Sequence, residues 1–270
     1  MKSFSDILLD RVHSTGSRLC VGLDIDAERL ASPASPALRH LTDFSRMVID
    51  VTLPFAAAYK MNFAFFERYG SDGYRWLEAV MEWIDGRRLT IADAKRGDIS
   101  NSARHYASAL FDHFGFDAAT VSPYMGRDAI EPFLGNRQKG VFVTCLTSND
   151  GASDLQLQRV DGRPLYEKVI ELAKGLNTHK NCGLVVGATR SEEVARIRQE
   201  VGDMPLLMPG VGAQGGNLET SVREGNRGGV ALMNVSRGIL YGGDRTAKAI
   251  GENARDYQRK INEVLQGNDP

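Results

Sequence analysis

The sequence has no long uninterrupted apolar run, and this absence excludes two classes of protein. No segment approaches the ~20 apolar residues that are needed to span a bilayer. The first residues, MKSFSDILLDRVHS, carry a charge every few positions and lack the apolar centre of a secretory signal. We therefore expect a soluble, cytoplasmic protein with no membrane partner.

Cysteine and excess charge are also scarce. The chain has 3 cysteines, Cys20, Cys145 and Cys182, each in an apolar run and none in a CxxC pair, which predicts buried, reduced thiols. The formal net charge is −1, and basic residues form only short clusters such as Arg87-Arg88. Because nucleic acids are bound through a concentrated positive field, we expect no nucleic-acid partner.

What the sequence does contain is a regular alternation of strands and helices. Apolar runs rich in β-branched residues predict eight strands, at 18–24, 56–63, 89–95, 118–124, 140–148, 182–189, 205–211 and 229–236. Amphipathic stretches predict helices at the N-terminus and at about 38–52, 72–85, 100–114, 127–134, 164–178, 191–201, 216–224 and 245–266. A crossover helix returns the chain to the same end of the sheet, so we expect parallel strands.

Eight such units favour a closed (β/α)8 barrel, the TIM barrel of the α/β class, over an open doubly wound sheet. A dinucleotide-binding domain would need G-x-G-x-x-G after its first strand, and RLCVGLDIDAERL has no such motif. At 270 residues the chain lies within the range of single-domain barrels. We assign residues 1–270 to one domain.

Polar residues gather where the predicted strands end. The first strand ends at Asp24, the second near Lys60, the third at Asp93 and Lys95, and the fifth at Ser148. Active sites of this barrel lie at the carboxyl ends of the strands. Asp93 and Lys95 are two residues apart, so in a regular strand both project to the same face. The pattern predicts a catalytic rim.

Each of these residues alone also has a purely structural interpretation. Asp93 and Lys95 could form a solvated ion pair, and Lys60 could be a solvated edge charge. Asp24 could belong to a turn, and Asp98, just before a predicted helix, could be its N-cap. Their shared position at one rim of one barrel favours the catalytic interpretation.

The last two strand ends are rich in glycine. PGVGAQGGN (209–217) opens a helix, and NVSRGI (234–239) follows the eighth strand. Barrel enzymes commonly bind phosphate at these two loops, through backbone N–H groups and a helix N-terminus. Arg237 adds a bidentate donor for phosphate oxygens. The expected ligand is therefore a phosphate ester.

The D-x-K-x-x-D spacing of Asp93, Lys95 and Asp98 resembles the signature of the orotidine 5′-monophosphate decarboxylase family, and DAKRGDI is similar to its long bacterial branch. Matching segments run along nearly the whole chain, in the order GLD, YKMNFAFFERYG, DAKRGDISNSA, VSPYMG, TCLTSN, PGVGAQGG and NVSRGI. The resemblance implies decarboxylation of orotidine 5′-monophosphate to uridine 5′-monophosphate (UMP) and CO2, the last step of de novo UMP biosynthesis. It implies no cofactor and no metal.

The resemblance also implies roles for individual residues. Lys95 is the expected proton donor to C6 of the pyrimidine, Asp93 is expected against the departing carboxylate, and Lys60 is expected to hold Asp93 and the ribose. Further implied substrate-binding residues are Asp24 for the ribose, Ser148 for the pyrimidine edge, Gln214 and Arg237 for the phosphate, and Gly238 in the same site.

A homodimer is the other implication of the resemblance. Asp98 and Ser102 are expected to reach into the neighbouring subunit's site, so the dimer would be needed for activity. Three positions depart from the family pattern: Ser102 stands where Thr is usual, Met61 where the long branch often has Pro, and SNDGAS replaces SNPGS. The last change removes a rigid proline turn at Asp150, in the loop after the fifth strand.

Three other functions stay open at this point. A metal-dependent sugar-phosphate lyase of the same barrel group shares the D-x-K-x-x-D motif and would be sensitive to a chelator. A class I aldolase could form a Schiff base on Lys60 or Lys95, although flanking carboxylates raise a lysine pKa that this chemistry needs lowered. A non-catalytic phosphate-binding barrel would bind UMP without turnover.

Overall fold

The computed structural model describes residues 1–30, 38–210 and 218–267. In these residues eight parallel strands close into a barrel: β1 (Leu19–Gly22), β2 (Ala58–Asn62), β3 (Leu89–Arg96), β4 (Ala118–Val121), β5 (Gly140–Leu146), β8 (Cys182–Val186), β9 (Leu206–Pro209) and β10 (Ala231–Val235). Their order around the barrel is β1-β10-β9-β8-β5-β4-β3-β2. The predicted TIM barrel and all eight predicted strands are confirmed, most of them a few residues shorter than expected.

Helices alternate with the strands, as predicted. The longer ones are α1 (Phe4–Thr15), α3 (Leu38–Thr52), α5 (Gly70–Ile84), α6 (Ser100–Ser108), α7 (Arg127–Leu134), α8 (Leu165–Leu176), α9 (Ser191–Val201), α10 (Leu218–Gly225) and α12 (Ala247–Gln266). Three single-turn helices, α2 (Ala27–Leu30), α4 (Ala64–Glu67) and α11 (Arg237–Leu240), follow strands β1, β2 and β10. Among the helices of the described ranges, none is both long and apolar enough to cross a bilayer.

Some short elements escaped prediction. The helix expected at 100–114 ends in a π-helical turn, Ala109–His113, and Asp150–Asp154 forms a 3-10 turn. A hairpin of two-residue strands, β6 (Arg159–Val160) and β7 (Arg163–Pro164), precedes α8. Both residues of its turn, Asp161 and Gly162, have positive φ, which is the geometry that an Asp-Gly pair favours. This pair was the one sequence signal that could have revealed the hairpin.

Helix α1 closes the amino end of the barrel. A capping box starts the helix: Asp6 N–H donates to the Ser3 hydroxyl at 3.2 Å, and Ser3 N–H donates to the Asp6 carboxylate at 2.8 Å. Its buried face, with the four-residue spacing of a helix, consists of Phe4, Leu8 and Val12. The Phe4 ring meets Phe142 of β5 edge-on, with centroids 6.0 Å apart. Helix α1 therefore covers the amino ends of the strands.

The three cysteines are free and buried, which confirms their prediction as core thiols. Burial raises the pKa of each thiol to about 12, because an apolar surrounding disfavours the thiolate. They are therefore packing residues.

Candidate active site

A cavity of about 570 Å³ opens at the carboxyl ends of the strands. Its lining residues are Asp24, Asp26, Arg29, Lys60, Asn62, Phe65, Asp93, Lys95, Thr147, Ser148, Asn149, Pro209, Gly210, Asn234, Ser236, Arg237 and Tyr241. They come from the ends of β1, β2, β3, β5, β9 and β10 and from the segments that follow. The cavity therefore brings together these residues singled out from the sequence: Asp24, Lys60, Asp93, Lys95, Ser148 and Arg237.

Lys60 lies at the centre of a charge network. Its ammonium donates to Asp93 Oδ2 at 2.7 Å and lies 3.5 Å from Asp24 Oδ1. Lys95 Nζ donates to the other oxygen of Asp93, Oδ1, at 2.6 Å. The side chains of Lys60 and Asp93 are 4% and 10% exposed, whereas that of Lys95 is 52% exposed. The network thus runs from a buried ammonium to one that reaches the open cavity.

These contacts fix the charge of the two buried members. Burial disfavours the Asp93 carboxylate, but the positive charges of Lys60 and Lys95 and their hydrogen bonds outweigh burial and hold the pKa of Asp93 well below its usual range. Burial also disfavours the Lys60 ammonium, but the charges of Asp24 and Asp93 prevail and raise the pKa of Lys60. Near neutral pH, Asp93 is therefore a hydrogen-bond acceptor only.

Strand β3 departs from regular geometry where it carries these residues. The pairing register jumps between Ala92 and Arg96, so that the three residues Asp93–Lys95 lie opposite the single residue Thr120 of β4. Lys95 has φ 45°, in the left-handed region that residues other than glycine rarely occupy. The prediction assumed a regular strand here. The contact between the two side chains is observed, but it is made across a bulge.

Four buried oxygens around the cavity have no hydrogen-bond partner among the described residues: Asp24 Oδ1, Ser148 Oγ, Asn234 Oδ1 and Ser236 Oγ. Buried polar atoms are normally paired, so the three uncharged oxygens are available to a polar ligand, whereas Asp24 Oδ1 also lies 3.5 Å from the Lys60 ammonium. Asn234 and Ser236 lie in the NVSRGI segment, but the sequence analysis did not single them out. They project beside Gly22, whose absent Cβ leaves them room.

The segment after β10 places its two predicted residues differently. Arg237 begins α11, and its exposed side chain lines the cavity. Gly238 does not line the cavity; a Cβ at this position would come within 2.3 Å of the Tyr257 hydroxyl on α12. Close packing against Tyr257 therefore explains this glycine. Gln214, the other predicted phosphate ligand, lies outside the described residues.

Asp98 and Ser102 do not line the cavity of their own chain. The Asp98 carboxylate accepts the N–H of the adjacent Ile99 at 2.7 Å. Ile99 is itself the N-cap of α6, so the alternative of Asp98 as the N-cap is wrong. Ser102 lies exposed in the first turn of the same helix. Both side chains are therefore accessible from outside the chain that carries them.

Tyr241 is a cavity residue that the sequence analysis missed. Its hydroxyl accepts the Asp26 N–H at 2.7 Å and donates to the Asp24 carbonyl at 3.2 Å. Burial raises the pKa of Tyr241 to about 12. The residue ties the end of α11 to the loop that carries Asp24, and no sequence motif marks it.

Metal ligands do not cluster in the ranges that the structure describes. No three His, Cys, Asp or Glu side chains of those ranges come close enough together to hold a metal ion. Asp24 and Asp93 both face Lys60, whose ammonium competes with any cation for their oxygens.

A comparison with known proteins identifies the family to which the chain belongs. Residues 17–250 match the model of the "Orotidine 5'-phosphate decarboxylase / HUMPS family". The chain belongs to this family. The family assignment made from the DAKRGDI segment is thereby confirmed.

Two proteins named for this decarboxylase and one longer protein match nearly the whole of this chain. The chain is 44% identical to the enzyme of that name from Haloarcula marismortui, over 96% of this chain and 99% of that one. The Leishmania donovani OMP decarboxylase structure has a TM-score of 0.85 and 39% identity, with 97% and 98% of the two chains covered. The UMP synthase of the same organism has a TM-score of 0.87 and 40% identity, over 98% of this chain and 57% of that one.

Proposed function

We propose that the protein is a carboxy-lyase that converts orotidine 5′-monophosphate to UMP and CO2, the last step of de novo UMP biosynthesis. The observation that carries this proposal is the Lys60–Asp93–Lys95 network at the mouth of a barrel of the decarboxylase family. Relatives of nearly equal length bear the name of this enzyme. We further propose that residues 1–270 act as one domain in the cytoplasm.

Lys95 is the proposed proton donor. Loss of CO2 from C6 leaves an electron pair in the plane of the pyrimidine ring, where the π system cannot delocalise it. Without a cofactor, the protein has to stabilise this charge by electrostatics. The Lys95 ammonium is half exposed to the cavity and held by Asp93 at 2.6 Å, so it is a fixed positive charge that can also deliver a proton to C6.

Asp93 is the proposed neighbour of the substrate carboxylate. Two like charges at ~4 Å repel by about 4 kcal/mol at an effective dielectric near 20, worth roughly three powers of ten in rate if CO2 loss relieves all of it. Each oxygen of Asp93 is held by one lysine, Lys60 or Lys95, so the carboxylate cannot turn away. The same lysines screen part of the repulsion, so binding energy from the rest of the substrate has to contribute.

The remaining residues are assigned to the sugar, the base and the phosphate. Asp24, beside Lys60, is placed on the ribose hydroxyls. Ser148, whose buried hydroxyl has no hydrogen-bond partner within the described ranges, is placed on the pyrimidine edge. Arg237 and Gln214 are placed on the phosphate, where the Arg237 guanidinium offers two parallel donors. Gly238, beside Arg237, is expected to contribute its backbone alone.

The active form is proposed to be a homodimer in which Asp98 and Ser102 enter the partner's cavity. In support, neither side chain lines the cavity of its own chain. Large apolar side chains near them are also exposed, Ile99 by 57% and Tyr124 by 82%. Tyr124 follows β4, the neighbour of β3 in the barrel, so these residues share one side of the molecule.

The dimer is tested by mixing two inactive variants, Lys95→Ala and Asp98→Ala. If Asp98 acts across an isologous interface, a hybrid dimer contains one site with both native residues, and random mixing restores about a quarter of wild-type activity. Mixing the same variants after covalent cross-linking of each separate dimer is the control. No recovery in freely exchanging dimers would contradict the shared site.

An ultraviolet assay tests the reaction itself. We expect purified protein to deplete the orotate absorbance of orotidine 5′-monophosphate at the same rate with and without a chelator. Loss of activity with chelator would favour the sugar-phosphate lyase, and borohydride trapping of a carbonyl substrate would favour the aldolase. Binding of UMP without any turnover of orotidine 5′-monophosphate would leave a phosphate-binding barrel.

A further inference from the structure

Thr120 of β4 makes two hydrogen bonds that the mechanism above does not use. Its hydroxyl oxygen accepts the Lys95 backbone N–H at 3.0 Å and lies 3.1 Å from Asp93 Oδ1. Because Asp93 is ionised and can only accept, the hydroxyl must donate to it. The Thr120 side chain is 1% exposed, so no solvent competes for either bond. One buried hydroxyl thus touches both residues of the Asp93–Lys95 pair.

The bulge in β3 explains why a side chain is needed at this place. Thr120 is the single residue of β4 opposite the three residues Asp93–Lys95, so a regular backbone ladder cannot serve them all. The ladder resumes one step later, where Ser122 N–H donates to the Arg96 carbonyl at 2.8 Å. Between these points the Thr120 hydroxyl takes the place of a backbone acceptor for Lys95.

We propose that Thr120 is a positioning residue that sets the Lys95 ammonium relative to Asp93. The hydroxyl holds Lys95 by its backbone and Asp93 by Oδ1, the same oxygen that receives Lys95 Nζ at 2.6 Å. These three contacts close a ring that supports the left-handed backbone of Lys95, with φ 45°. The proton donor is therefore aimed before substrate binds. The inference rests on the proposed function, since it gives Thr120 a part in decarboxylation.

A merely structural role makes a different prediction. If the hydroxyl only satisfied a buried N–H group, its removal would lower stability and leave the kcat of the folded protein unchanged. If it aims Lys95, its removal lowers kcat while substrate affinity is kept, because the residues assigned to the ribose and phosphate are untouched. The separation of kcat from KM therefore distinguishes the two roles.

The test is Thr120→Val, which keeps the shape and removes the hydroxyl. We expect kcat to fall about 100-fold, with KM and the Kd for UMP changed by less than about threefold. Thr120→Ser, which restores the hydroxyl, should recover kcat to within about fivefold of wild type. The matched control is Thr144→Val on β5, because the buried Thr144 hydroxyl has no hydrogen-bond partner among the described residues. Its kcat should stay near that of wild type.

Equal kcat values for Thr120→Val and Thr144→Val would overturn the proposal. If Thr120→Val does not fold, Thr120→Ser and Thr120→Ala take its place, since they differ from each other by the hydroxyl alone; equal kcat in that pair is the overturning result. A wild-type protein that binds UMP but shows no turnover overturns the proposed function, and this inference with it. An active wild type with an unaffected Thr120→Val overturns this inference alone.

Discussion

The two ends of the barrel are built from the same strands but differ in chemistry. At the amino end, Leu89, the first residue of β3, lies in the apolar cluster that α1 closes. At the carboxyl end, the same strand carries Asp93, and its neighbour β2 carries Lys60. Leu89 and Lys60 are each 3% exposed. The two ends are therefore equally buried and differ in what the side chains contact, since Leu89 packs against apolar side chains and Lys60 contacts carboxylates.

The largest expected effect comes from removing the charge that reaches the cavity. Lys95→Ala should lower turnover by about 10⁴-fold or more, because it removes both the proton donor and the fixed positive charge. The fold should survive, since the Lys95 side chain is half exposed. The assay is kcat alongside Tm, with Lys168→Ala, an exposed ion-paired lysine of α8, as the matched control. Near-normal turnover by Lys95→Ala would refute its assignment.

A change at the amino end, which α1 closes, should lower stability and leave turnover unchanged. Phe4→Ala removes a large side chain from the buried face of α1 and should cost about 3–5 kcal/mol of unfolding free energy, the usual cost of truncating a buried Phe. Because Phe4 is far along the strands from the cavity, kcat of the folded protein should not change. Urea unfolding and kcat measure the two effects. The control is Leu9→Ala on the same helix, where Leu9 is 42% exposed. A similar loss of stability in both variants would contradict the role of the buried face of α1 in closing the barrel.

At the carboxyl end of the barrel, substrate binding should be separable from the chemical step. Arg237→Ala should raise KM by about 10- to 100-fold, the range for losing hydrogen bonds to a charged group, with a smaller change in kcat. Arg223→Ala, which removes an exposed, ion-paired arginine from α10, is the control. A fall in kcat with constant KM would move Arg237 out of the binding role.

The smallest effect is expected in the pH dependence of stability. The pKa of Asp93 is lowered in the folded state, so its contribution is complete above the unfolded value of about 3.9 and is lost as pH falls below it. The pKa of Lys60 is raised, so its contribution is complete below about 10.4 and is lost as pH rises above it. The unfolding free energy difference between wild type and Asp93→Asn should be flat from about pH 5 to 9 and shrink in acid. The difference between wild type and Phe4→Ala should not shrink, because the Phe4 side chain carries no titratable group and packs against the ring of Phe142.

The fold was predictable because each strand is an apolar run bounded by an amphipathic helix. The predicted strand 118–124 shows where such a pattern overreaches. Pro123 and Tyr124 continue the run but lie beyond the last bond of the ladder, from Ser122 N–H to the Arg96 carbonyl, and Tyr124 is 82% exposed. The local sequence does not show at which residue a strand stops pairing, because the end of pairing depends on the neighbouring strand.

The site was predictable only in part, for a similar reason. Lys60 and Asp93 could be found because charges at the end of an apolar run are unusual. Thr120 could not, since threonine is common in strands and its contacts depend on a register jump in β3. Tyr241 belongs to a contact with the loop after β1 across more than 200 residues of sequence, and no pattern along the chain encodes it.

The balanced charges of the network have a consequence for electrolytes. Two ammonium groups, Lys60 and Lys95, face two carboxylates, Asp24 and Asp93, so the set is neutral as a whole. Dissolved ions weaken interactions beyond about 8 Å at physiological ionic strength, and they act chiefly on exposed charges such as Arg237. Added potassium chloride should therefore slow the capture of an anionic nucleotide and barely alter the conversion of molecules already captured.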